Sequence, residues 1–182
     1  MSDFRERRPF GWFVLPIAAM VAVVVVSNIT VQYPINDWLT WGAFTYPLAF
    51  LVTDLSNRTL GAARARRIVY AGFAVGVVLS LAAGWRIAVA SGTAFLVAQL
   101  LDILIFDRLR RSAWWRAPLV SSVLSSAIDT ILFFTLAFAF TGLPWATWAL
   151  GDYAAKLAMA ALLLAPYRLL VGVFAPRAPL VS

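Results

Sequence analysis

Long apolar runs separated by short polar segments recur along the chain. Six of them are long enough to cross a hydrocarbon core of about 30 Å as helices, which takes roughly 20 residues each. The predicted spans are residues 13–31, 38–55, 68–84, 87–106, 119–140 and 148–170. Because the connections are short, consecutive helices are expected to be antiparallel neighbours. The pattern predicts an all-α bundle of six transmembrane helices, with residues 1–182 forming a single integral membrane domain.

Composition agrees with a membrane setting. Of the 182 residues, 63% are hydrophobic and only 13% are charged, and the mean hydropathy is +0.86. A water-soluble chain of this size could not bury so much apolar surface. The chain contains no cysteine and no histidine, which excludes disulfides, Cys/His zinc sites and histidine acid–base chemistry.

The basic residues predict the orientation of the bundle. They cluster at the N-terminus, after the second and fourth spans, and at the C-terminal end, as Arg5, Arg7, Arg8, Arg58, Arg64, Arg66, Arg67, Arg108, Arg110, Arg111, Arg116, Arg168 and Arg177. Of the 15 basic residues, only Arg86 falls on the other side, and Lys156 lies within the sixth span. The positive-inside rule therefore predicts that both termini are cytoplasmic. The net charge of +7 follows from this topology and favours contact with anionic lipid, so we expect no nucleic-acid partner.

Ionisable side chains interrupt the predicted spans at Asp54, Asp102, Asp129, Asp152 and Lys156. Each costs about 2.5–3.5 kcal/mol or more at a helix centre, so such residues usually face the bundle interior. Depth estimated from the helical rise places Asp54 and Asp102 in the cytoplasmic third and Asp129 near the midplane. Lys156 lies slightly outside the midplane, and Asp152 lies one turn further out.

Helical spacing groups these residues into stripes on four of the helices. The stripes are Tyr46, Phe50 and Asp54; Phe95, Gln99 and Asp102; Ser122, Ser125 and Asp129; and Asp152 with Lys156. If the stripes converge, they line a polar cavity with aromatic walls. Phe133, at middle depth, and Asn28, in the outer third, are further candidates for this lining.

A purely structural role is the alternative for several of these residues. Asp54 precedes Arg58 by one helical turn and could be its surface partner, and Asp102 could pair with a cytoplasmic arginine. Asp152 and Lys156 are spaced to pair within one helix.

Asp129 has no charged neighbour in sequence, so a residue at similar depth, such as Lys156, is needed to neutralise it. Gln99 and Asn28 could instead join helices by hydrogen bonds. Small residues that predict close helix–helix contact are Gly72, Gly76, Ser121, Ser122, Ser125 and Ser126.

Four segments resemble a known family. They are "FTYPLAFLVTDLSNRTLGAARARRIV", "RIAVASGTAFLVAQLLDILIFDRLRR", "WWRAPLVSSVLSSAIDTILFFTLAF" and "DYAAKLAMA", and they run through the second, fourth, fifth and sixth spans in order. The chain is similar in these segments to the bacterial queuosine precursor transporter family, also called the VUT family. The first span and the C-terminal residues match less distinctively.

The resemblance implies an inner-membrane importer of 7-deazaguanine bases, the 7-cyano and 7-aminomethyl compounds, which are salvaged to make queuosine in tRNA. It also implies a six-helix architecture similar to the substrate-binding S-components of energy-coupling-factor vitamin importers. The expected partners are a 7-deazapurine substrate and membrane lipid, with a homodimer as an open alternative to a single chain. No cofactor and no enzymatic activity are expected.

The candidate residues suit such a substrate. Aromatic faces on which a flat base can stack are supplied by Tyr46, Phe50, Phe95 and Phe133. The guanine-like edge donates N–H groups that Asp129 or Asp102 can accept, and Gln99 or Lys156 can donate to its carbonyl oxygen and ring nitrogen. The family motif around Asp54 favours a role for this residue on the inward side of the permeation path.

Other classes remain as alternatives. A membrane subunit that binds another vitamin-like or nucleobase solute is one, and a structural subunit without transport activity is another. An intramembrane enzyme is disfavoured because the sequence has no tightly clustered dyad motif and the estimated depths separate Asp54 and Asp102 from Asp129. The chain also lacks the phosphate-binding pattern G-x-x-x-x-G-K-[ST].

Overall fold

The computed structural model describes residues 11–30 and 33–174, most of which lie in α-helices. The helices are α1 (Gly11–Thr30), α2 (Gly42–Thr45), α3 (Leu48–Leu60), α4 (Ala62–Ser80), α5 (Trp85–Leu109), α6 (Arg116–Phe138), α7 (Trp145–Leu162) and α8 (Leu164–Phe174). An antiparallel hairpin of β1 (Pro34–Asn36) and β2 (Leu39–Thr40) separates α1 from α2, and a short 3-10 helix (Leu81–Ala83) follows α4. The helical class predicted from the apolar pattern is confirmed, whereas the hairpin was not predicted.

Three helices of the described chain are long and apolar enough to cross a membrane. They are the segment Phe13–Thr30 of α1, α5 and α6, and the bent pair α7 and α8 makes a fourth if it forms one span. The chain is therefore a multi-pass helical membrane protein. α3 has only 13 residues, and α4 carries three arginines in its first two turns. The count of six spans stays a prediction.

The second predicted span, residues 38–55, is not a single helix. Its first residues belong to the hairpin, where the Asn36 side chain accepts hydrogen bonds from the backbone N–H groups of Trp38 and Leu39, each at 2.9 Å. Such bonds offer the backbone an alternative to the helix. The chain then breaks at Pro47, which has no N–H to donate and separates α2 from α3.

α3 and α4 meet at Gly61 with almost no loop. Gly61 has a φ of 90°, a conformation that favours glycine. α4 consequently begins at Ala62, before the predicted start at residue 68. Arg58 lies in the last turn of α3. The prediction of a loop after the second span is thus wrong, because Arg64, Arg66 and Arg67 belong to the first turns of α4.

The sixth predicted span, residues 148–170, is bent. α7 begins earlier, at Trp145, and the axes of α7 and α8 differ by 42°. Pro166, in the first turn of α8, has no N–H to donate to the carbonyl of Leu162. A missing bond of this kind is a common cause of a helix bend.

Close packing of α1 against α4 depends on two glycines. A Cβ atom on Gly72 would lie 2.6 Å from Cγ of Met20, and one on Gly76 would lie 3.3 Å from Cγ1 of Val24. Met20 and Val24 belong to the apolar core shared by α1, α3, α4 and α5. The prediction that these glycines lie at a helix–helix contact is confirmed.

The distribution of polarity is that of a membrane bundle. Large apolar side chains are exposed around the outside, including those of Leu15, Val78, Ile131, Leu162 and Leu169. Polar side chains are buried inside, including those of Thr53, Asn57, Gln99, Asp102, Ser121 and Ser125. Helices in lipid place their polar groups inward in this way, because hydrocarbon offers them no hydrogen-bond partner.

The two ends of the bundle differ in charge. The arginine-rich end comprises Arg58, Arg64, Arg66, Arg67, Arg108, Arg110, Arg111, Arg116 and Arg168. There, Arg58 donates to the carbonyl of Arg110 at 2.8 Å, and Arg110 donates to the carbonyl of Asn57 at 2.6 Å, which ties α3 to the end of α5. The opposite end holds the hairpin and Arg86. The remaining basic residues of the predicted cytoplasmic side (Arg5, Arg7, Arg8 and Arg177) lie outside the described residues, so the side on which the termini lie stays a prediction.

Candidate functional site

A buried ionic cluster joins α6 to α7. Nζ of Lys156 lies 2.8 Å from Oδ2 of Asp129 and 2.5 Å from Oδ2 of Asp152, and it donates to Oγ1 of Thr130 at 3.0 Å. The three N–H groups of the ammonium thus meet three oxygen acceptors. The side chains of Lys156 and Asp129 are only 5% and 4% exposed. The sequence left two partners open for Lys156, Asp152 within α7 and Asp129 on α6. The structure shows both pairings together.

Helical spacing positions these four side chains. Asp129 and Thr130 are adjacent on α6, and Asp152 and Lys156 lie one turn apart on α7. Thr130 accepts from Lys156 and donates to Oδ2 of Asp152 at 2.9 Å, so it closes the network. Breaking a buried ion pair by removing one partner typically costs about 3–5 kcal/mol, because the other charge is left uncompensated.

Tyr46, which lies between α2 and α3, also binds to this cluster. Its hydroxyl donates to Oδ1 of Asp129 at 2.8 Å, so both oxygens of this carboxylate are occupied. Nζ of Lys156 lies 5.2 Å from the centre of the Tyr46 ring, within the range of a cation–π contact. The proline that follows Tyr46 ends α2 and thereby holds the phenol in place beside the charges.

The cluster forms one wall of a cavity of about 620 Å³, which we call the large cavity. Small-molecule sites typically enclose about 300–1,000 Å³. α1, the hairpin, α5, α6 and α7 all contribute to the lining. The polar members are Ser27, Asn28, Asn36, Asp37, Thr40, Tyr46, Ser80, Ser91, Asp129, Asp152 and Lys156. Among the described residues, the lining includes three carboxylates and one ammonium, so the large cavity favours cationic or N–H-donating solutes.

Aromatic side chains form a second wall of the large cavity. The rings of Phe133 and Phe134 are 5.2 Å apart at 84°, and those of Phe138 and Trp148 are 5.7 Å apart at 88°. Such edge-to-face contacts stabilise aromatic clusters. The wall gives a flat solute extensive apolar surface next to the charged cluster.

The hairpin closes the large cavity against α7 at Gly151. A Cβ atom on Gly151 would lie 2.7 Å from the carbonyl oxygen of Trp38, closer than real Cβ contacts. The absence of a side chain therefore lets the hairpin backbone approach the helix one residue away from Asp152. Trp38 and Asp152 both line the cavity beside this contact.

The predicted site residues divide between different places. Those that line the large cavity are Asn28, Tyr46, Asp129, Phe133, Asp152 and Lys156. Phe50 and Asp54 line a separate cavity of about 20 Å³, which we call the small cavity. Phe95 lines a third cavity, together with Asn28 and Tyr46. Gln99 and Asp102 line none of the three cavities.

The stripe on α5 faces α3 and Tyr46 instead of the large cavity. Gln99 accepts a hydrogen bond from Thr53 of α3 at 2.5 Å, so its amide faces α3 instead of the large cavity. The ring of Phe95 lies 6.3 Å from that of Tyr46 in an edge contact. Tyr46 lines both the large cavity and the one beside Phe95, and the expectation of one shared cavity is therefore wrong for α5.

Asp54 and Asp102 lie next to each other, away from the cluster of Lys156. Ser121 and Ser122 donate to the two oxygens of Asp54 at 3.3 and 3.4 Å. Neither aspartate forms a salt bridge with any residue in the described ranges. The alternative in which local arginines pair with them is therefore not what the structure shows.

Sequence reasoning missed several residues of the large cavity. The hairpin was the largest omission, although Pro34, Asn36 and Asp37 form the kind of polar cluster that marks a turn. Trp38 and Trp148 fall near the ends of predicted spans, where tryptophan is typical of the membrane interface. Thr130 follows Asp129 directly, but no pattern distinguishes it from an ordinary helix threonine.

These features define a class of protein. The chain is a multi-pass helical membrane protein that encloses a charged cavity with an aromatic wall, as expected of proteins that bind a small solute within the membrane. A family model described as "Putative vitamin uptake transporter" matches residues 40–83 and 79–171.

Two curated relatives narrow the class. The chain is 37% identical over 164 aligned positions to the "Queuosine precursor transporter" of Escherichia coli (strain K12), covering 74% of each chain. It is 31% identical over 207 aligned positions to the "Probable queuosine precursor transporter" of Haemophilus influenzae, covering 91% of this chain and 87% of the relative. The chain belongs to the queuosine precursor transporter family. No solved structure matches it, so the likeness to energy-coupling-factor S-components stays a prediction.

Proposed function

We propose that the protein imports queuosine precursors across the bacterial inner membrane and binds them in the large cavity. The proposed substrates are 7-cyano- and 7-aminomethyl-7-deazaguanine. The observation that carries the proposal is the cluster of Tyr46, Asp129, Asp152 and Lys156 in the wall of this cavity. The names of the two relatives support the substrate class, since both are called queuosine precursor transporters.

Asp152 is best placed to recognise the guanine-like edge. Its contacts with Lys156 and Thr130 both use Oδ2, and its side chain is 18% exposed at the cavity wall. Oδ1 is then the oxygen with which it accepts N–H groups from the solute. Asp129, in contrast, uses both oxygens within the cluster, so we assign it to holding Lys156 in place.

Lys156 and the aromatic wall supply the remaining recognition. The Lys156 ammonium adds a positive charge to the cavity wall beside Asp152. Phe133 and Trp148 give the flat base a stacking surface. The cationic aminomethyl group is accepted because carboxylates outnumber ammonium groups in the lining. The neutral cyano compound needs only the edge and stacking contacts.

The orientation follows from the charge asymmetry. We place the arginine-rich end in the cytoplasm, with both termini, by the positive-inside rule. The large cavity, lined by the hairpin at the opposite end, then receives solute from outside the cell. Reporter fusions at residues 35 and 112 are expected to report opposite sides of the membrane, and the same side for both would contradict this orientation.

Uptake by living cells tests the proposal. The chain is expressed in a bacterial strain that can neither make nor import these precursors, and labelled 7-cyano-7-deazaguanine is supplied in the medium. We expect uptake and restored queuosine in tRNA, compared with cells that carry the empty vector. No uptake, with the protein present in the membrane, would overturn the proposal.

A second candidate substrate class follows from the description of the family model as a vitamin uptake transporter. In that case the chain is a membrane subunit that binds another vitamin-like or nucleobase solute. Competition distinguishes the two: an excess of unlabelled 7-aminomethyl-7-deazaguanine should suppress uptake, whereas guanine and water-soluble vitamins should not. Suppression by a vitamin would favour the second class.

A further inference from the structure

Asp54 and Asp102 are a second group of buried carboxylates, and neither of them lines the large cavity. Asp54 is 2% exposed and Asp102 is 0% exposed, and they lie side by side between α3 and α5. Both oxygens of Asp102 are buried without a hydrogen-bond partner in the described part of the chain. The amide nitrogen of Gln99, one turn away on α5, also lacks a partner there.

Among the described residues, no cationic side chain is paired with either carboxylate. α6 contributes only the hydroxyls of Ser121 and Ser122, and α8 contributes Tyr167. Other charged groups on the helices around the pair are Arg58 on α3, Arg64, Arg66 and Arg67 on α4, Asp107, Arg108 and Arg110 at the end of α5, Arg116 and Asp129 on α6, Asp152 and Lys156 on α7, and Arg168 on α8. Within the described residues, none of these forms a salt bridge with either aspartate.

Two carboxylates in contact, buried and without a cation, cannot both be ionised. The hydroxyl groups of Ser121 and Ser122 offset only part of the repulsion, because hydroxyl dipoles carry no net charge. The pair therefore requires a bound cation, and a proton shared between the two carboxyl groups is the smallest that satisfies it.

The small cavity borders both Asp54 and Lys156. Lys156 also lines the large cavity, and Ser122 and Ser126 are further members of the small-cavity lining. The small cavity's volume of about 20 Å³ is enough for one water molecule, which needs roughly 10–15 Å³. The small cavity thus offers a place for one water molecule beside Asp54 and Lys156.

We propose that the Asp54–Asp102 pair binds one proton and couples solute import to the proton gradient. A proton from the large-cavity side passes Lys156 through water in the small cavity to one carboxylate, which becomes a carboxylic acid. That acid later releases the same proton to water at the arginine-rich end. The proposal rests on the proposed function, since the large cavity must hold the transported solute.

A metal cation fits the pair less well than a proton. The described residues contain no group of three or more Asp, Glu, His or Cys side chains that could hold a metal ion.

Transport by the purified full chain in liposomes tests the coupling. With the membrane potential clamped at zero, an inward gradient of one pH unit should drive about tenfold accumulation of 7-cyano-7-deazaguanine if one proton accompanies each neutral solute. The variant with Asp54→Asn and Asp102→Asn should lose this accumulation but keep exchange between labelled and unlabelled solute. Asp107→Asn is the matched control: it makes the same change on α5 in a side chain that is 51% exposed, and it should behave as the wild type.

The outcomes separate the coupling from the function. Exchange without any response to the pH gradient, or accumulation driven by a sodium gradient, would overturn the coupling and leave the proposed function intact. Absence of exchange in the wild type would overturn the proposed function.

Infrared spectroscopy then tests the proton site without any solute. At neutral pH, the wild type and Asp107→Asn should show the C=O stretch of a protonated carboxylic acid, and the double variant should lack it. A wild-type spectrum without this band, or an unchanged band in the double variant, would overturn the proton site.

Discussion

The two groups of buried carboxylates differ in how their charge is balanced. Asp129 and Asp152 share the Lys156 ammonium, and every N–H of that ammonium meets an oxygen. Asp54 and Asp102, in contrast, have no cation in the described structure and only serine hydroxyls as donors. A cluster balanced by a side chain is suited to a fixed binding surface. A pair that needs an exchangeable proton is suited to change state during a transport cycle.

Removing the Lys156 ammonium should have the largest effect. Lys156→Met leaves Asp129 and Asp152 without their shared cation, which we expect to cost about 3–5 kcal/mol. Thermal unfolding in detergent measures the loss of stability, and transport should be abolished. The double variant with Asp129→Asn should recover part of the stability, because one uncompensated charge is gone. Additive losses would show that the two residues are not coupled.

Removing one carboxylate charge from each group tests the comparison directly. Asp129→Asn should destabilise the protein and abolish solute exchange, because Lys156 and Tyr46 lose a charged partner. Asp54→Asn should leave stability nearly unchanged, since the asparagine amide can donate to the Asp102 carboxylate in place of the shared proton, and it should impair exchange less than Asp129→Asn. Unfolding temperatures and exchange rates are compared at equal amounts of protein in the membrane. Equal destabilisation by both variants would contradict the distinction.

Tyr46→Phe should have a smaller effect. It removes the hydrogen bond to Asp129 but keeps the ring beside Lys156, so we expect a loss of about 1.5–3 kcal/mol from a bond to a charged group. Tyr70→Phe is the matched control, because it removes the same hydroxyl from a side chain of α4 that is 49% exposed. Full stability of Tyr46→Phe in thermal unfolding would show that the hydroxyl does not support the cluster.

Gly151→Ala should have the smallest effect on stability and act mainly on binding. The added Cβ would meet the Trp38 carbonyl at 2.7 Å, so the hairpin must move away from α7 beside Asp152. We expect weaker solute binding with little change in the unfolding temperature. Gly172→Ala on α8 is the control, because a Cβ there has no neighbour within 4 Å. Equal solute binding by both variants would show that the contact between the hairpin and Gly151 is not needed for binding.

The sequence was informative where a single physical effect dominates. Uninterrupted apolar runs identified α1, α5 and α6, and estimated depth brought Asp129 close to Lys156 before any contact was known. The prediction of the second span as one helix was wrong, because Pro47 and the turn residues around Asn36 outweigh the apolar composition of that segment. Local backbone chemistry of this kind has little effect on a pattern averaged over a whole span.

The sequence could not predict that Asp54 and Asp102 are neighbours, for a different reason. Helical spacing shows which residues share a face, but it does not show which neighbouring helix that face meets. Gln99 and Asp102 were therefore assigned to the shared cavity, whereas both in fact lie against α3. The same limit applies to Thr130, whose role depends on the position of α7.

Equilibrium binding of 7-cyano-7-deazaguanine to the purified protein tests the central claim most directly. If the cluster in the large cavity recognises the solute through Asp152, Asp152→Asn should bind at least about tenfold more weakly than the wild type, a loss of roughly 1.4 kcal/mol. Asp107→Asn, at the arginine-rich end, should bind with wild-type affinity. Equal affinities for the wild type and Asp152→Asn, with both proteins folded, would contradict the account.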